Sequence, residues 1–332
     1  MRLISMPKCN CCRYSSPTCQ CPISRNQSLK AHYDYWDRFV EEWIEYNINC
    51  TSPNWKNYST LKEWAYPKFN NDCTPFNKGL NDPTIQYLPE PWWGNNGMHP
   101  LHSVIINFNP GDGGDVQNIN YTQSHIGDIT NYGTFVNNRI NNYLSLIQPK
   151  PKSKIADNTD FLQTCDWHYS RRAKWIYEAI TTIYGCSKYQ LSNNLSLHNH
   201  LSVELIPWHS KSATSDFHRY VATNRNAIFE HSVKFAAEAS KCINNPILRN
   251  VVIVRMSSSA FKQCLGGIGG LNYLIQEVKI DAGIYCIFEF TTIPNVIFVC
   301  IWGEHSQNAF PSKDSLAKIL NEIAIYKLNR TI

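Results

Sequence analysis

The strongest constraint on how this chain folds is a repeated pairing of a short β-branched apolar run with polar or glycine-rich residues directly after it. The pairing occurs at residues 103–108 before 109–115, at 201–206 before 207–212, at 251–254 before 257–259 and at 296–301 before 303–307. Apolar runs this short, bounded by turn residues, are the mark of strands buried on both faces. Between them lie stretches with helical spacing. Trp36, Phe39, Val40, Trp43 and Ile44 define a helix over 30–48, and Trp175, Ile176, Ala179, Ile180 and Ile183 a helix over 167–184. A long helix is expected over 216–242 with Ser215 as its N-cap, and a short one after Ser257-Ser258-Ser259. A last helix begins near Ser312, with Leu316, Ile319, Leu320, Ile323 and Ala324 as its apolar face. One further run, 284–290, joins 296–301 through a Thr-Thr-Ile-Pro-Asn turn signal.

Strands alternating with helices predict an α/β protein: three α/β/α layers with a central, mainly parallel sheet of about four strands. In such sheets ligands bind beyond the carboxyl ends of the strands. The four polar segments would then share one rim, and their convergence weighs more than any of them singly.

Three divisions follow along the chain. Residues 1–28 form a Cys-rich arm, 29–100 a helix with loops wrapped on the core, and 101–332 the α/β domain, with a polar insertion at about 112–165. Of the thirteen cysteines, Cys9, Cys11, Cys12, Cys19 and Cys21 crowd the arm. Their C-x-C-C…C-x-C spacing is not the paired C-x₂-C of common zinc sites, so they are weak metal candidates and read first as a thiol-rich leader. Cys286 and Cys300 lie inside apolar runs and read as small buried hydrophobes in a reducing compartment. No apolar run approaches the ~18 residues that cross a bilayer. The N-terminus lacks a secretory core, so no membrane partner and a cytoplasmic location are expected. The net charge of +5 permits a nucleic-acid partner without indicating one.

Asn109-Pro110-Gly111 follows the first run directly. Proline fixes its own φ and biases Asn109 toward extended geometry, while Gly111 allows a sharp reversal. The Asn109 amide would then stand at the rim, able to position a water; an ordinary turn uses the same residues. Gly113 and its neighbour could offer backbone amides to a phosphate, and Asp112 could act as a base. His209, Ser210 and Lys211 suit phosphate contacts, as do Ser257 and Ser258. His305 ends the last run beside Ser306 and Gln307. Several templates are missing: there is no G-x-x-x-x-G-K-[ST] loop, no G-x-S-x-G elbow and no H-E-x-x-H. The glycine-rich stretch at 265–270 lacks G-x-G-x-x-G spacing.

Four blocks together resemble the uracil-DNA glycosylase superfamily. They are Glu90-Pro-Trp-Trp-Gly-Asn95, Val104-Ile-Ile-Asn-Phe-Asn-Pro-Gly111, Val203-Glu-Leu-Ile-Pro-Trp-His-Ser210 and Trp302-Gly-Glu-His-Ser306. Asn109-Pro110-Gly111 is similar to the first motif of the mismatch-specific branch, whose asparagine positions the attacking water. His305 falls where the superfamily carries its second motif, often a histidine followed by Pro-Ser; here the sequence reads His305-Ser306-Gln307. The blocks run in order over residues 88–325, and the first 85 residues and the 112–165 insertion have no counterpart.

The resemblance implies a uracil-DNA-glycosylase-like fold and a DNA glycosylase that hydrolyses the N-glycosidic bond of a flipped uracil or modified pyrimidine. It would need no cofactor, have DNA as its partner and require no obligate protein partner. Asn109 would hold the water, with Asp112 assisting, and His305 would donate to the departing base, an effect worth about 3–4 kcal/mol in comparable sites. Flipping costs a few kcal/mol. Stacking on Trp92, Trp93 or Phe108, with Pro110 and Gly111 lining the pocket, would return about 1–3 kcal/mol per base. The insertion could widen the pocket for a hypermodified cytosine of phage DNA, making this a defence enzyme; otherwise the role is repair. The alternative is a non-catalytic DNA- or nucleotide-binding protein on the same fold.

Overall fold

The computed structural model describes residues 26–46, 57–64, 88–95, 97, 101–108, 129, 131–138, 175–176, 178–180, 183, 199–207, 228–243, 245–265, 268–304 and 310–330. Helix α1 spans Gln27–Ile44, ahead of the expected start at residue 30, because Asn26 caps it: its side-chain oxygen accepts from the N–H groups of Ser28 and Leu29 at 3.0 and 3.2 Å. Leu29, Tyr33, Trp36, Phe39, Val40, Trp43 and Ile44 form its buried face. A four-residue helix, α2 (Leu61–Trp64), follows.

Three strands come next: β1 (Trp92–Gly94), β2 (Ser103–Asn107) and β3 (His200–Glu204). Helix α3 (Ile228–Lys241) leads to β4 (Val251–Val254), and α4 (Ser258–Cys264) follows with Ser257 as its N-cap. Strands β5 (Leu271–Ile280), β6 (Gly283–Phe290) and β7 (Ile293–Gly303) precede the last helix, α5 (Lys313–Arg330). The remainder of the expected 216–242 and 167–184 helices lies outside the described residues, apart from helical turns at 175–176, 178–180 and 183, where Ile176, Ala179 and Ile180 are buried.

All seven strands form one sheet in the order β1-β3-β2-β4-β7-β6-β5. The central four, β3, β2, β4 and β7, are parallel, whereas β1, β6 and β5 pair antiparallel with their neighbours. Among the described residues the expected sheet of about four strands is therefore corrected to a mixed sheet of seven. Two of the added strands have weak local signals. β1 is three residues long and comes from a segment expected to be loop. β5 is an edge strand whose register shifts at Tyr273/Ile275 and Ile275/Val278 break the period-two alternation.

Helices cover both faces. Phe261 of α4 packs against Phe288 and Phe298 with ring centroids 6.0 and 6.1 Å away. Arg330 of α5 instead reaches Glu289, one residue along β6 and so on the opposite face. The first face also carries α1 and α3: Phe235 lies 4.9 Å from Tyr33 and 6.5 Å from Trp92. No described helix is long and apolar enough to cross a membrane.

Candidate functional site

Because β3, β2, β4 and β7 are parallel neighbours, their carboxyl ends share one rim. Along it stand Glu204–Pro207, then Asn107–Phe108, then 254–257, then Gly303–Glu304. In chain order the parallel strands sit 2-1-3-4, so the winding reverses between β2 and β4. That reversal is the topological switch point at which open α/β sheets bind ligands.

A buried polar cluster lies at this end. The Asn107 amide donates to Ser202 Oγ at 2.7 Å and to a Glu204 carboxylate oxygen at 3.0 Å. Asn107 and Glu204 are each 1% exposed and Ser202 is fully buried. Placing a carboxylate there costs several kcal/mol unless hydrogen bonds offset it, so this cluster departs sharply from an apolar core. Alternation explains its geometry. His200, Ser202 and Glu204 occupy one face of β3, and register sets Ser103 and Asn107 beside His200 and Glu204 on that same face. At the amino end the pattern repeats, with Ser103 Oγ 2.6 Å from His200 Nδ1. Farther along this face the residues are apolar: Ile105, Val251, Ile253, Ile297 and Val299 are all buried. Arg255 follows Val254, the partner of Ile106, and its N–H binds the Ile106 carbonyl at 2.9 Å. Its backbone therefore stands opposite Asn107 in continued register.

Sequence reasoning passed over Asn107, Ser202, Glu204 and Arg255. The available signal was a charged residue inside a run otherwise fit for a buried strand, since Glu is almost never fully buried without partners.

The expected site residues divide by location. Asn109, Pro110, Gly111, Asp112, Gly113, His209, Ser210, Lys211, His305, Ser306 and Gln307 lie outside the described residues, as do Cys9, Cys11, Cys12, Cys19 and Cys21. Their chain neighbours Phe108, Pro207 and Glu304 are described and stand on the common rim. Trp92 and Trp93 are on β1 and buried. The Trp92 ring meets Tyr33 at 5.1 Å and Tyr132 at 5.3 Å, and its carbonyl accepts from the Tyr132 hydroxyl at 2.8 Å. These contacts commit the ring to core packing. Phe108 is partly buried against the core, and its carbonyl accepts from Ile206 N–H at 3.0 Å. Ser257 accepts from Ala260 N–H at 3.2 Å, and Ser258 donates to the Glu277 carboxylate. Both hydroxyls thus serve α4 and its neighbour β5.

Three of the four described thiols are shielded, while Cys242 is half-buried. Cys264, Cys286 and Cys300 are buried and free, and Cys286 stands directly opposite Cys300. Burial pushes the Cys264 and Cys286 thiols up to about 12 and that of Cys300 well above its ordinary value. Among the described residues no group of three or more His, Cys, Asp or Glu is placed to hold a metal ion. No family model matches the chain, and neither does any curated protein or solved structure.

Proposed function

We propose that the chain is a DNA glycosylase of the uracil-DNA glycosylase superfamily, acting on a flipped uracil or modified pyrimidine at the rim of the parallel strands. The observation that carries this reading is the placement of β2 and β7. They run parallel on either side of β4, so the chain leaves the same rim toward Asn109 from β2 and toward His305 from β7. With strands spaced about 4.8 Å apart, the two ends stand ~10 Å from each other, a gap suited to a nucleoside held between them. The 2-1-3-4 winding supports a uracil-DNA-glycosylase-like arrangement of the core.

In the proposed reaction a water held by Asn109 attacks C1′ of the sugar. Its oxygen bonds to C1′ as the C1′–N bond breaks, and the base leaves with the bonding electrons. A hydrogen bond from His305 stabilises that departing anion. Asp112 assists by taking the proton of the attacking water. DNA is the partner, and the 112–165 insertion admits a bulky base such as a hypermodified cytosine of phage DNA.

The test is incubation with plain, uracil-containing and glucosylated-cytosine duplexes, followed by an assay for abasic sites. Abasic sites are expected on at least one altered DNA and not on plain DNA; their absence from all three rules the reading out. Asn109→Ala should abolish turnover while DNA affinity is kept. A non-catalytic binder has no turnover to lose.

A further inference from the structure

The two edges of the sheet are built differently. β1 is three residues long and buried along its whole length, and the Tyr132 hydroxyl donates to its Trp92 carbonyl. β5 runs for ten residues, and none of them is buried. Six are apolar (Leu271, Tyr273, Leu274, Ile275, Val278 and Ile280), and each is only half-buried against the core. The β5 backbone pairs with β6 alone. None of these ten described residues has a hydrogen bond beyond those to β6, Ser258 and Glu304. A long apolar edge with an open row of N–H and C=O groups is a template for another strand.

The charges on β5 indicate which strand that is. Glu277 meets Ser258 of α4, and Lys279 is the partner of Ile284, on the side of β6 that also carries Phe288 against α4. Both charges therefore lie on the α4 side of β5, two residues apart, with Val278 between them. Both are exposed, and Lys279 keeps 56% of its side-chain surface while paired with Glu304. An ammonium has three donors and a carboxylate two oxygens, so each has capacity for a second partner. The register shifts that bend β5 lie before Val278, and Val278, Lys279 and Ile280 pair regularly with Tyr285, Ile284 and Gly283. The two-residue turn after Ile280 makes Ile280 and Gly283 the hydrogen-bonded closing pair, so the Lys279 N–H and C=O point away from β6.

We propose that β5 pairs antiparallel with β5 of a second copy of this chain, about a two-fold axis through Val278, joining the two sheets edge to edge. In that register each Glu277 stands opposite Lys279 of the other copy, so one favourable contact is made twice, as an isologous interface requires. An axis one residue earlier would set Glu277 against Glu277, and one residue later Lys279 against Lys279. The outward N–H and C=O of Lys279 gain partners, and Val278 meets its own copy. β5 stands three strands from β4 in the sheet, so the pairing leaves the carboxyl rim open and is independent of the chemistry proposed there.

Sedimentation of the full chain over a range of concentrations is the test, with wild type expected as a reversible dimer. Glu277→Lys leaves only lysines at the contact, and Lys279→Glu only glutamates. Each should raise the dimer Kd at least about tenfold. Mixing the two variants should restore the wild-type value, because lysines then face glutamates at both contacts. Circular dichroism establishes that each variant folds, and local damage to β5 is not cured by mixing. A wild type that stays monomeric up to roughly 100 µM overturns the inference. So does a dimer whose Kd neither variant changes, or a mixture no tighter than its components. Should either variant fail to fold, Val278→Cys decides. Its thiol meets its own copy at the axis, where opposed Cα atoms stand about 4.5–5.5 Å apart, within disulfide reach. Two such thiols give two electrons and two protons to an added small-molecule disulfide as the S–S bond forms. A cross-linked dimer above the wild-type background is expected, and its absence overturns the inference.

Discussion

Ser103 Oγ and His200 Nδ1 lie 2.6 Å apart, both side chains buried, at the amino ends of the two strands whose carboxyl ends carry Asn107 and Glu204. The two polar pairs are alike in register and burial and differ in which edge of the sheet they occupy. Removing the hydroxyl leaves an imidazole nitrogen without this partner, so Ser103→Ala should destabilise the protein by about 1–3 kcal/mol. On the proposed glycosylase reading it should leave excision per folded molecule unchanged, because ligands of open α/β sheets bind at the other end of the strands. Urea unfolding beside turnover measures both; a large fall in kcat at unchanged stability would contradict the assignment of the site to the carboxyl rim.

Glu42 of α1 gathers the turn that starts α2. Its carboxylate accepts from Ser59 N–H and Oγ at 3.1 and 2.7 Å, from Thr60 N–H and Oγ1 at 2.8 and 2.5 Å, and from Leu61 N–H at 2.7 Å. Burial alone raises its pKa, but the bonds from Thr60, Leu61 and Ser59 together outweigh that and leave it lowered. A depressed carboxylate pKa stabilises the fold above the unfolded value, and that stability is lost as pH falls through the folded one. Glu42→Ala should therefore cost about 1 kcal/mol near neutrality, after allowance for solvent screening. The gap from wild type should close as the pH drops below the ordinary glutamate range. Thermal melts at several acidic pH values provide the measurement, and a gap that widens in acid is the contrary result.

Lys327 ties α5 to the turn before β4, its Nζ donating to the carbonyls of Pro246 and Ile247 at 3.0 Å and of Arg249 at 2.5 Å. Burial, aided by the Arg249 charge, lowers its pKa to about 8 from 10.5. Between those values the unfolded chain holds a proton that the folded one has released, so this group makes stability rise with pH across the window. Relative to Lys327→Met, wild type should gain stability from pH 8 to 10.5. Paired melts across that range check the sign, and a relative loss would mean that the three carbonyls hold the ammonium more strongly than burial expels it.

Gly270 has φ +83°, and a Cβ there would overlap the Thr291 hydroxyl and come within 3.3 Å of the Thr291 backbone nitrogen. That nitrogen donates to the Gly270 carbonyl at 2.9 Å, so backbone as well as side chain resists a larger residue. Gly270→Ala should destabilise by more than about 1 kcal/mol. Adding Thr291→Ala should return part of the loss, because it removes the overlap and leaves the φ strain. Chemical denaturation of both variants decides; no recovery in the double variant would assign the whole cost to the backbone.

The three buried thiols should be silent in the folded protein. With Cys264 and Cys286 pushed up to about 12 and Cys300 higher still, the thiolate that reacts is nearly absent near neutral pH. Iodoacetamide at pH 8, followed by peptide mass mapping, should leave all three unmodified until denaturant is added. Rapid native labelling would show an opening that this packing does not provide, of α4 for Cys264 and of the β6–β7 pair for Cys286 or Cys300.

Much of the fold was legible in local pattern. The runs that became β2, β3 and β4 are compact and β-branched, and the apolar spacing of α1 and α5 survives to within a few residues, because periodicity and capping act over one or two turns of chain. The common rim followed from the alternation of strands and helices, since parallel strands connected by helices must align their ends. Cys286 and Cys300 were read correctly as core. Strands β1 and β5 were missed because one is three residues long and the other interrupts its alternation at an edge, where pairing to a neighbour rather than local propensity holds the conformation.

The sequence by itself determined most of the strands and helices, β1 and β5 excepted, and the common rim toward which the parallel strands run. Only the tertiary structure decided the order of the strands, the three antiparallel additions and the partnership of Asn107 with Glu204, 97 residues away. The reason is physical. An apolar run encodes that a strand is buried, but the identity of the strand beside it depends on the packing of every other element. A buried carboxylate becomes intelligible only when the donor beside it is known.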